Sequence, residues 1–250
     1  MSRRCLSGAA LVLAAAWSLP ARAAVLQLAP IPIEVEAPQA AAVLSLSNRA
    51  SAEVALQARV FRWTQEQGED RLTPTTDVAV SPPIASVPAG QTLTLRVVRV
   101  AGQPPVAEEA YRIWVDELPG DKRKAKGQSL RVLMRYSVPA FFEPAGAAGG
   151  EATLSWQLKQ TAKSDFSLAA SNPGQRRVRL SGLQLRGPSG DAAVLEAGSE
   201  LSGYVLAGQT MRWTLKRPKD FPAAPGGLYR LEYQTEAKQH RENLPLGARR

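Results

Sequence analysis

The sequence predicts an all-β protein built from two β-sandwich domains, and three observations lead to this prediction. Apolar and polar residues alternate with a period of two along most of the chain, whereas long patterns with the helical period of 3.6 residues are absent. The alternating runs are short and are bounded by turns that contain glycine, proline or asparagine. Residues 143–150, rich in proline, glycine and alanine, divide the runs into two series.

The first series of predicted strands precedes this divide. Its members are Val43–Ser47, Val54–Trp63, Thr92–Val100, Tyr111–Val115 and the run Leu130–Phe142. Turn segments separate them at residues 48–51, 67–70, 88–90 and 118–120. Short strands at this spacing, without intervening helices, are typical of a sandwich of two sheets.

The second series follows the divide. Its members are Thr153–Leu158, Phe166–Ala170, Val178–Leu185, Met211–Leu215 and Tyr229–Tyr233. The polar residues after Thr235 show no strand pattern. We therefore expect domains at residues 24–143 and 151–236, a linker at 144–150, and a polar tail at 237–250 whose composition is compatible with disorder.

The first 23 residues are typical of a secretory signal peptide. Arg3 and Arg4 precede the apolar stretch Gly8–Leu19, and Ala21–Ala23 has the small-x-small pattern of a cleavage site. No later stretch approaches the roughly 18 consecutive apolar residues of a membrane-spanning helix. The sequence thus predicts an exported soluble protein without membrane insertion.

Residue composition argues against an enzyme. Cleavage of the signal peptide would remove Cys5, the single cysteine, which excludes disulfides and thiolate metal sites. A hydrolytic triad would have to use the single histidine, His240, which lies in the predicted tail. No Gly-x-Ser-x-Gly elbow and no phosphate-binding glycine loop occurs. We therefore predict a binding protein with no metal or other cofactor.

The chain is basic, with a formal net charge of +9. Basic proteins can bind nucleic acids or anionic membrane surfaces. Most of the positive residues are interleaved within the strand patterns, and the one dense run, Lys122–Lys126, is flanked by glycine. We interpret this run as a solvated loop and expect no nucleic acid among the partners.

The run Leu130–Phe142 carries the strongest functional signal. In an extended strand, side chains two residues apart share a face. One face would carry Leu130, Val132, Met134, Tyr136 and Val138, and the other Arg131, Leu133, Arg135 and Ser137. Two interpretations remain open at this point: the apolar row either packs in the core of its own domain or forms an edge that pairs with another protein.

Several motifs occur in an order and spacing that resemble a known family. They are Ser45–Asn48, Val80–Ile84, Tyr111–Pro119, Phe141–Pro144 and Leu168–Pro173. Together they resemble the periplasmic pilus chaperones of the PapD-like family, over most of the chain that follows the signal peptide. Phe61–Glu66 and the general character of the sequence are more similar to the archaic branch of the chaperone–usher systems.

The resemblance implies a fold and a function. The fold would be two immunoglobulin-like domains in a boomerang arrangement, located in the periplasm. The protein would cap pilus or fimbrial subunits by donor-strand complementation and deliver them to an outer-membrane usher. Because a subunit lacks one strand, the last strand of the first domain would fill its groove. The resemblance places this subunit-binding role on Leu130, Val132, Met134 and Tyr136.

One departure from the family pattern concerns the anchor for the terminal carboxylate of the subunit. The resemblance implies a basic residue in the first strand and another in the last strand of the first domain, and these positions fall on Pro32 and Pro139. Arg135, with Arg131 on the same face, is a possible replacement, although ordinary solvent-facing strand residues are the favoured interpretation of both. Further candidates, which sequence alone cannot orient, are Arg62, Arg96, Arg99 and Arg112.

A second class of function also fits the sequence: a secreted structural or adhesive surface protein made of two immunoglobulin-like domains. This alternative predicts self-association or glycan binding without any client. The tryptophans within strand patterns are expected to pack in cores or on sheet faces. They are Trp63, Trp114, Trp156 and Trp213.

Overall fold

The structure is a computed structural model that describes residues 26–119, 132–146, 153–161, 165–188, 194–196, 201–217, 221, 223–224 and 226–247. Its regular elements are β-strands throughout the described ranges. The predicted signal peptide, the basic run Lys122–Lys126 and most of the predicted linker lie outside these residues.

Ten strands occur among the described residues of the first domain. They are β1 (Leu26–Ala29), β2 (Ile33–Glu36), β3 (Ala41–Asn48), β4 (Val54–Glu66), β5 (Glu69–Pro74), β6 (Val78–Ser81), β7 (Ile84–Val87), β8 (Thr92–Arg99), β9 (Glu109–Glu117) and β10 (Arg135–Glu143). One sheet has the order β1-β3-β8-β6, and the second has the order β2-β10-β9-β4-β5, with β7 beside β4. We refer to the latter as the second sheet.

The two sheets of the first domain pack face to face as the period-two pattern requires. Alternate residues of each strand point inward, so Leu44 and Leu46 of β3 meet Ile113 and Val115 of β9 in one buried cluster. All four side chains are fully buried. The intervening residues of the same strands form the outer faces of the sandwich.

In the second domain, the part of the chain that the structure describes contains eight strands. They are β11 (Ser155–Gln160), β12 (Phe166–Ser171), β13 (Val178–Arg186), β14 (Val194–Glu196), β15 (Leu201–Val205), β16 (Thr210–Leu215), β17 (Leu228–Gln234) and β18 (Gln239–Gly247). Their order is β14-β13-β17-β18-β11-β12-β16, with β15 beside β13. β11 and β18 pair in parallel only near Leu158 and Leu246, and the sheet thereby encloses a second apolar core.

A buried asparagine ends strand β3 of the first domain. Asn48 Nδ2 donates to the carbonyl oxygens of Ala52 at 2.9 Å and Val87 at 2.8 Å, and Asn48 Oδ1 accepts from the N–H of Ala50 at 2.9 Å. With a further contact from Nδ2 to Pro88 O at 3.2 Å, one amide thus pairs four backbone groups where the strand meets the loops, so buried polar groups are not left unpaired.

Asn172 makes the equivalent three hydrogen bonds at the end of β12. Its Nδ2 donates to Arg176 O at 2.7 Å and Val205 O at 3.0 Å, and its Oδ1 accepts from Gly174 N at 2.9 Å. The two domains therefore share a framework at this strand end, although their sequences differ.

A repeated tetrapeptide extends this shared framework. Ala-Gly-Gln-Thr occurs at residues 89–92 and again at 207–210. In each domain, the serine before the buried asparagine forms a hydrogen bond with the threonine of this tetrapeptide: Ser47 with Thr92 at 2.8 Å, and Ser171 with Thr210 at 2.7 Å.

The β4–β5 hairpin of the first domain contacts the second domain. Gln65 Nε2 donates to Tyr204 O at 2.7 Å, and Gln65 Oε1 accepts from Leu206 N at 3.0 Å. At the turn, Gly68 O accepts from Arg212 N at 3.0 Å, which adds a rung to the edge of β16. A Cβ on Gly68 would lie 2.5 Å from Arg212 Cβ, and φ is +86°, so this approach requires glycine.

A buried cluster of charges also joins the domains. Arg177 Nη1 lies 2.5 Å from Glu108 Oε2 and 3.1 Å from Glu143 Oε1, and Arg177 also pairs with Glu34. Arg176 lies 2.8 Å from Glu143. The arginines come from the second domain and the carboxylates from the first. Because the buried members Arg177, Glu108 and Glu143 each have a polar partner, burial of the cluster is tolerated.

The predicted fold class is confirmed, because the chain is an all-β protein with two sandwich domains. Two details differ from the expectation. β10 begins at Arg135 rather than at Leu130. The expected polar tail contains β18, in which only Leu244 and Leu246 are buried, so this strand lacks the alternation on which the sequence prediction relied. His240 therefore lies in a strand, stacked on Tyr233 with ring centroids 4.7 Å apart.

Candidate functional site

Strand β10 has an open edge on one side over its first half. β9 pairs with it from Arg135 to Phe142, on one side. On the other side, β2 pairs with it only from Ala140 to Glu143. Within the described residues, no strand pairs with that side of Arg135–Pro139. An open edge offers backbone groups that another strand can pair with.

Exposed apolar residues precede this open edge. Val132, Leu133 and Met134 are 66%, 42% and 44% exposed. The ladder with β9 continues to this segment, because Glu117 N donates to Met134 O at 2.9 Å. Three consecutive apolar side chains exposed beside an open strand edge form a candidate surface for a protein partner.

The structure separates the predicted subunit-binding residues into groups. Val132 and Met134 belong to the exposed segment. Tyr136 is half-buried and packs against the core of its own domain, as Val138 does. The apolar row is therefore exposed at Val132 and Met134 and packs against the core of the first domain at Tyr136 and Val138. Leu130 lies outside the described residues.

The outer face of the second sheet lies beside this edge. Three rows cross it, each with one residue from β4, β9 and β10: Phe61, Arg112 and Pro139; Arg59, Trp114 and Ser137; Gln57, Asp116 and Arg135. These residues face away from the core because they alternate with its buried side chains.

Arg135, one of the two predicted anchor residues, is engaged by its neighbours. Its guanidinium pairs with Asp116 and lies over the Trp114 ring, 4.2 Å from the centroid. Arg59 Nη2 contacts the same carboxylate at 2.7 Å. Although burial favours the neutral acid, hydrogen bonds from Arg135 and Arg59 hold the pKa of Asp116 below its usual value. The other predicted anchor, Arg131, lies outside the described residues.

Arg112 differs from Arg135, because no carboxylate within the described residues lies within 4 Å of its guanidinium. Arg112 instead stacks on Trp63, 3.8 Å from the ring centroid. Burial lowers the pKa of its guanidinium from the ordinary value, and the Asp70 carboxylate acts in the opposite direction. A half-buried arginine without an ion-pair partner is a candidate binding group for an anion.

Pro32 and Pro139 immediately precede the first residue pair of the β2–β10 ladder, and Pro139 lies beside Arg112. Pro139 is the cross-strand neighbour of Arg112 in the β9–β10 ladder. The β2–β10 ladder begins where Ile33 pairs with Ala140, and Pro32 and Pro139 are the residues that immediately precede these two. The two positions from which the family pattern would project cations thus carry none, and Arg112 projects a cation one strand away.

A shallow concavity on the outer face gives access to Arg112. Its lining residues are Asp70, Leu72, Arg112, Trp114, Arg135 and Ser137. A second concavity adjoins it and includes Leu133 and Met134 of the exposed segment. The open edge, the exposed apolar segment and Arg112 therefore form one continuous surface.

The sequence offers Arg112 as one of four further candidates and does not distinguish it from the others. The sequence signal that bears on Arg112 is strand alternation. Arg112 lies between the core residues Tyr111 and Ile113 in β9, so its side chain must face outward. Its position beside Pro139 depends on the pairing register of two strands, which sequence does not provide.

The described residues lack two kinds of feature. They hold no group of three or more histidine, cysteine, aspartate or glutamate side chains suited to a metal ion. None of the described residues forms a helix long and apolar enough to cross a membrane.

Residues 25–148 match the family model described as "Pili and flagellar-assembly chaperone, PapD N-terminal domain". This match covers the first domain, including the open edge. The chain belongs to the PapD-like family of pilus assembly chaperones. No curated protein sequence matches this PapD-like chaperone.

Solved structures resemble this PapD-like chaperone over both domains. A chain of the CsuC–CsuE chaperone–tip adhesion subunit pre-assembly complex, from the archaic chaperone–usher Csu pili of Acinetobacter baumannii, is 25% identical with a TM-score of 0.67. The match covers 91% of this chain and 100% of that one.

Two more distant structures share the fold. A chain of the complex between the SafA pilin and the SafB chaperone of Salmonella enterica is 20% identical, with a TM-score of 0.58, over 88% of this chain and 96% of that one. The CupB2 chaperone of Pseudomonas aeruginosa is 17% identical, with a TM-score of 0.54, over 88% of this chain and 100% of that one.

Proposed function

We propose that this PapD-like chaperone acts in the periplasm, where it caps pilus or fimbrial subunits by donor-strand complementation and delivers them to an outer-membrane usher. The observation that carries the proposal is the open edge of β10 together with the exposed segment Val132–Met134. The CsuC–CsuE and SafA–SafB complexes support it, since each pairs a chaperone with a subunit.

Donation of this edge would satisfy what an incomplete subunit lacks. A groove with a missing strand leaves backbone N–H and C=O groups unpaired and apolar side chains exposed. The backbone of Arg135–Pro139 would supply hydrogen bonds, and the preceding segment would insert alternate side chains. Binding alone would suffice, without nucleotide or metal.

Val132 and Met134 are the described residues that would enter the groove, with Leu130 continuing the row. Each fully buried side chain would contribute about 1.5–3 kcal/mol. The entropic cost of association offsets part of this gain. Tyr136 would contribute less, since it already packs on its own core.

Arg112 would bind the terminal carboxylate of the subunit, in place of the basic pair replaced by Pro32 and Pro139. Arginine binds carboxylates through planar, charge-assisted hydrogen bonds. Arg112 is better placed for this role than Arg135, whose guanidinium already pairs with Asp116. The anchor would then lie at the end of the outer face that borders the second domain.

Purification from the periplasm tests the proposal. The affinity-tagged protein should co-purify with short β-rich subunits and with the usher, identified by mass spectrometry. Val132→Asp and Met134→Asp should each lose the subunits, because a carboxylate in an apolar groove is strongly disfavoured.

Leu228→Asp provides a matched control. Leu228 is 59% exposed and begins β17 of the second domain, away from the β10 edge. This variant should retain the subunits. If Val132→Asp and Met134→Asp also retained them in wild-type amounts, the edge assignment would be wrong.

A further inference from the structure

Trp63 supports Arg112 from beneath and is itself held by the second domain. The guanidinium of Arg112 lies 3.8 Å from the centroid of the Trp63 ring. Trp63 is 2% exposed and belongs to an apolar cluster that also contains Phe141 of the first domain and Leu206 of the second. The surface that supports the candidate anchor is thus a contact between domains.

Tyr204 of the second domain fixes the orientation of this indole. Its ring meets Trp63 edge to face, with centroids 5.6 Å apart and an interplanar angle of 88°. Tyr204 also packs on Phe141 at 5.5 Å, and Phe141 lies 5.9 Å from Trp63. Edge-to-face packing of this kind is directional, so the position of Tyr204 constrains the tilt of Trp63.

Hydrogen bonding does not explain the position of the Trp63 indole. Its Nε1 is buried without a hydrogen-bond partner within the part of the chain that the structure describes. An unpaired buried donor is costly. Because Nε1 is unpaired among these residues, the ring contacts with Tyr204 and Phe141 determine where the indole lies.

The stack continues through Phe141 to the ion-pair cluster between the domains. The guanidinium of Arg177, from the second domain, lies over the Phe141 ring, 3.8 Å from its centroid. One arginine of the candidate binding face and one arginine of the domain interface are therefore connected through two packed rings.

We propose that Trp63 is a positioning residue for the subunit-binding arginine Arg112, and that Tyr204 of the second domain sets its orientation. The second domain thereby preorganises a binding group of the first domain without itself contacting the bound carboxylate. This inference rests on the proposed function only where it concerns the ligand of Arg112. A fixed guanidinium binds an anion with less loss of side-chain freedom than a mobile one.

Nuclear magnetic resonance of the arginine Nε–Hε groups in the full chain after signal-peptide removal tests the proposal. The Trp63 ring should shift the Arg112 resonance away from those of exposed arginines, and Arg112→Lys assigns the signal by removing it. Titration with sodium acetate, compared with sodium chloride, measures binding of a simple carboxylate probe at Arg112.

Tyr204→Leu removes the ring that orients Trp63 while keeping an apolar side chain. We expect the Arg112 resonance to move toward the exposed arginines and its affinity for acetate to fall at least threefold. Tyr204→Phe keeps the ring and should leave both readouts at wild-type values. Thermal unfolding of each variant verifies that both domains remain folded.

The outcomes separate the positioning role from the proposed function. An unchanged Arg112 resonance in folded Tyr204→Leu overturns the positioning role. If Tyr204→Leu does not fold, Trp63→Phe replaces it, and an unchanged Arg112 resonance there has the same meaning. A wild-type Arg112 that responds equally to acetate and chloride overturns its role as a carboxylate anchor, while the ring-dependent shift still decides the positioning role.

Discussion

Arg112 lies directly across from Pro139 in the β9–β10 ladder, on the outer face of the second sheet. Pro139 occupies a position where the family resemblance implies a cation, and the neighbouring strand provides one. The charge has thus moved by one strand, about 5 Å in the sheet. An anchor at this place would hold a subunit terminus on the sheet face rather than at the strand edge.

Replacement of Arg112 should weaken subunit binding more than replacement of Arg135. A hydrogen bond to a charged group contributes about 1.5–3 kcal/mol, so Arg112→Ala should raise the apparent dissociation constant about tenfold or more. Arg112→Lys should retain part of the affinity, because it keeps the charge without the planar fork. Titration of the purified chaperone with a co-purifying subunit measures the effect.

Arg135→Ala is the matched control for this comparison. Its guanidinium already pairs with Asp116, and Arg59 contacts the same carboxylate. The loss of Arg135 should therefore change subunit affinity by less than the loss of Arg112. The opposite ranking would return the anchor role to Arg135, as the sequence suggested.

Loss of either buried asparagine should destabilise the domain that contains it. Asn48→Ala leaves the N–H of Ala50 and the carbonyls of Ala52 and Val87 without their side-chain partner. Unpaired buried groups cost about 1–3 kcal/mol each. We expect a lower urea midpoint for Asn48→Ala and, because the framework repeats, for Asn172→Ala. A midpoint equal to wild type in either variant would contradict a structural role for that residue.

The sequence predicted the parts of this fold that depend on alternation alone. Val54–Trp63 and Tyr111–Val115 are clear alternating runs, and both lie within strands of the structure. Short edge strands such as β1 and β7 escaped prediction because four residues are too few to establish a period. β18 escaped because a strand with few buried residues needs no apolar alternation.

The candidate site was predictable only in part, for a related reason. Strand alternation predicts that Arg112, Trp114 and Arg135 lie on outer faces. The resemblance to the family predicts that the β10 region binds the subunit. Which arginine lies beside Pro139, and which is neutralised by Asp116, depends on the register between strands distant in sequence. The repeated Ala-Gly-Gln-Thr tetrapeptide was a usable sequence signal for the equivalence of the two domains.

Tyr111 is predicted to stabilise the first domain through a buried network. Its hydroxyl donates to Glu109 Oε2 at 2.8 Å and accepts from Arg62 Nη1 at 2.8 Å. Arg99 pairs with both oxygens of the same carboxylate. Tyr111→Phe should therefore lower the free energy of unfolding by about 1–3 kcal/mol, measured by urea denaturation.

Tyr204→Phe is the matched control for the tyrosine hydroxyl. No hydrogen bond of the Tyr204 hydroxyl occurs among the described residues, so its removal should leave the free energy of unfolding within about 0.5 kcal/mol of wild type. Equal effects of the two substitutions would contradict the contribution of the Tyr111 network.

The stability of the folded chain should decrease with rising pH because of Glu108. Burial raises the pKa of this carboxyl to about 8, from 4.5 for the exposed group, and the nearby Glu143 carboxylate acts in the same direction. A raised pKa means that the folded state holds the proton more tightly than the unfolded state. The contribution is full below about pH 4.5 and is lost as pH rises through about 8.

Glu108→Gln isolates this effect, since glutamine keeps a hydrogen-bond acceptor for Arg177 N, which lies 3.0 Å from Glu108 Oε1, but does not titrate. Between pH 5 and pH 8.5, wild type should lose more unfolding free energy than the variant, as measured by urea denaturation at each pH. The physical reason is that ionised Glu108 adds a buried carboxylate beside Glu143, at an Arg177 guanidinium that Glu143 and Glu34 already share. Parallel pH profiles for the two proteins would mean that Arg177 already keeps Glu108 ionised across this range.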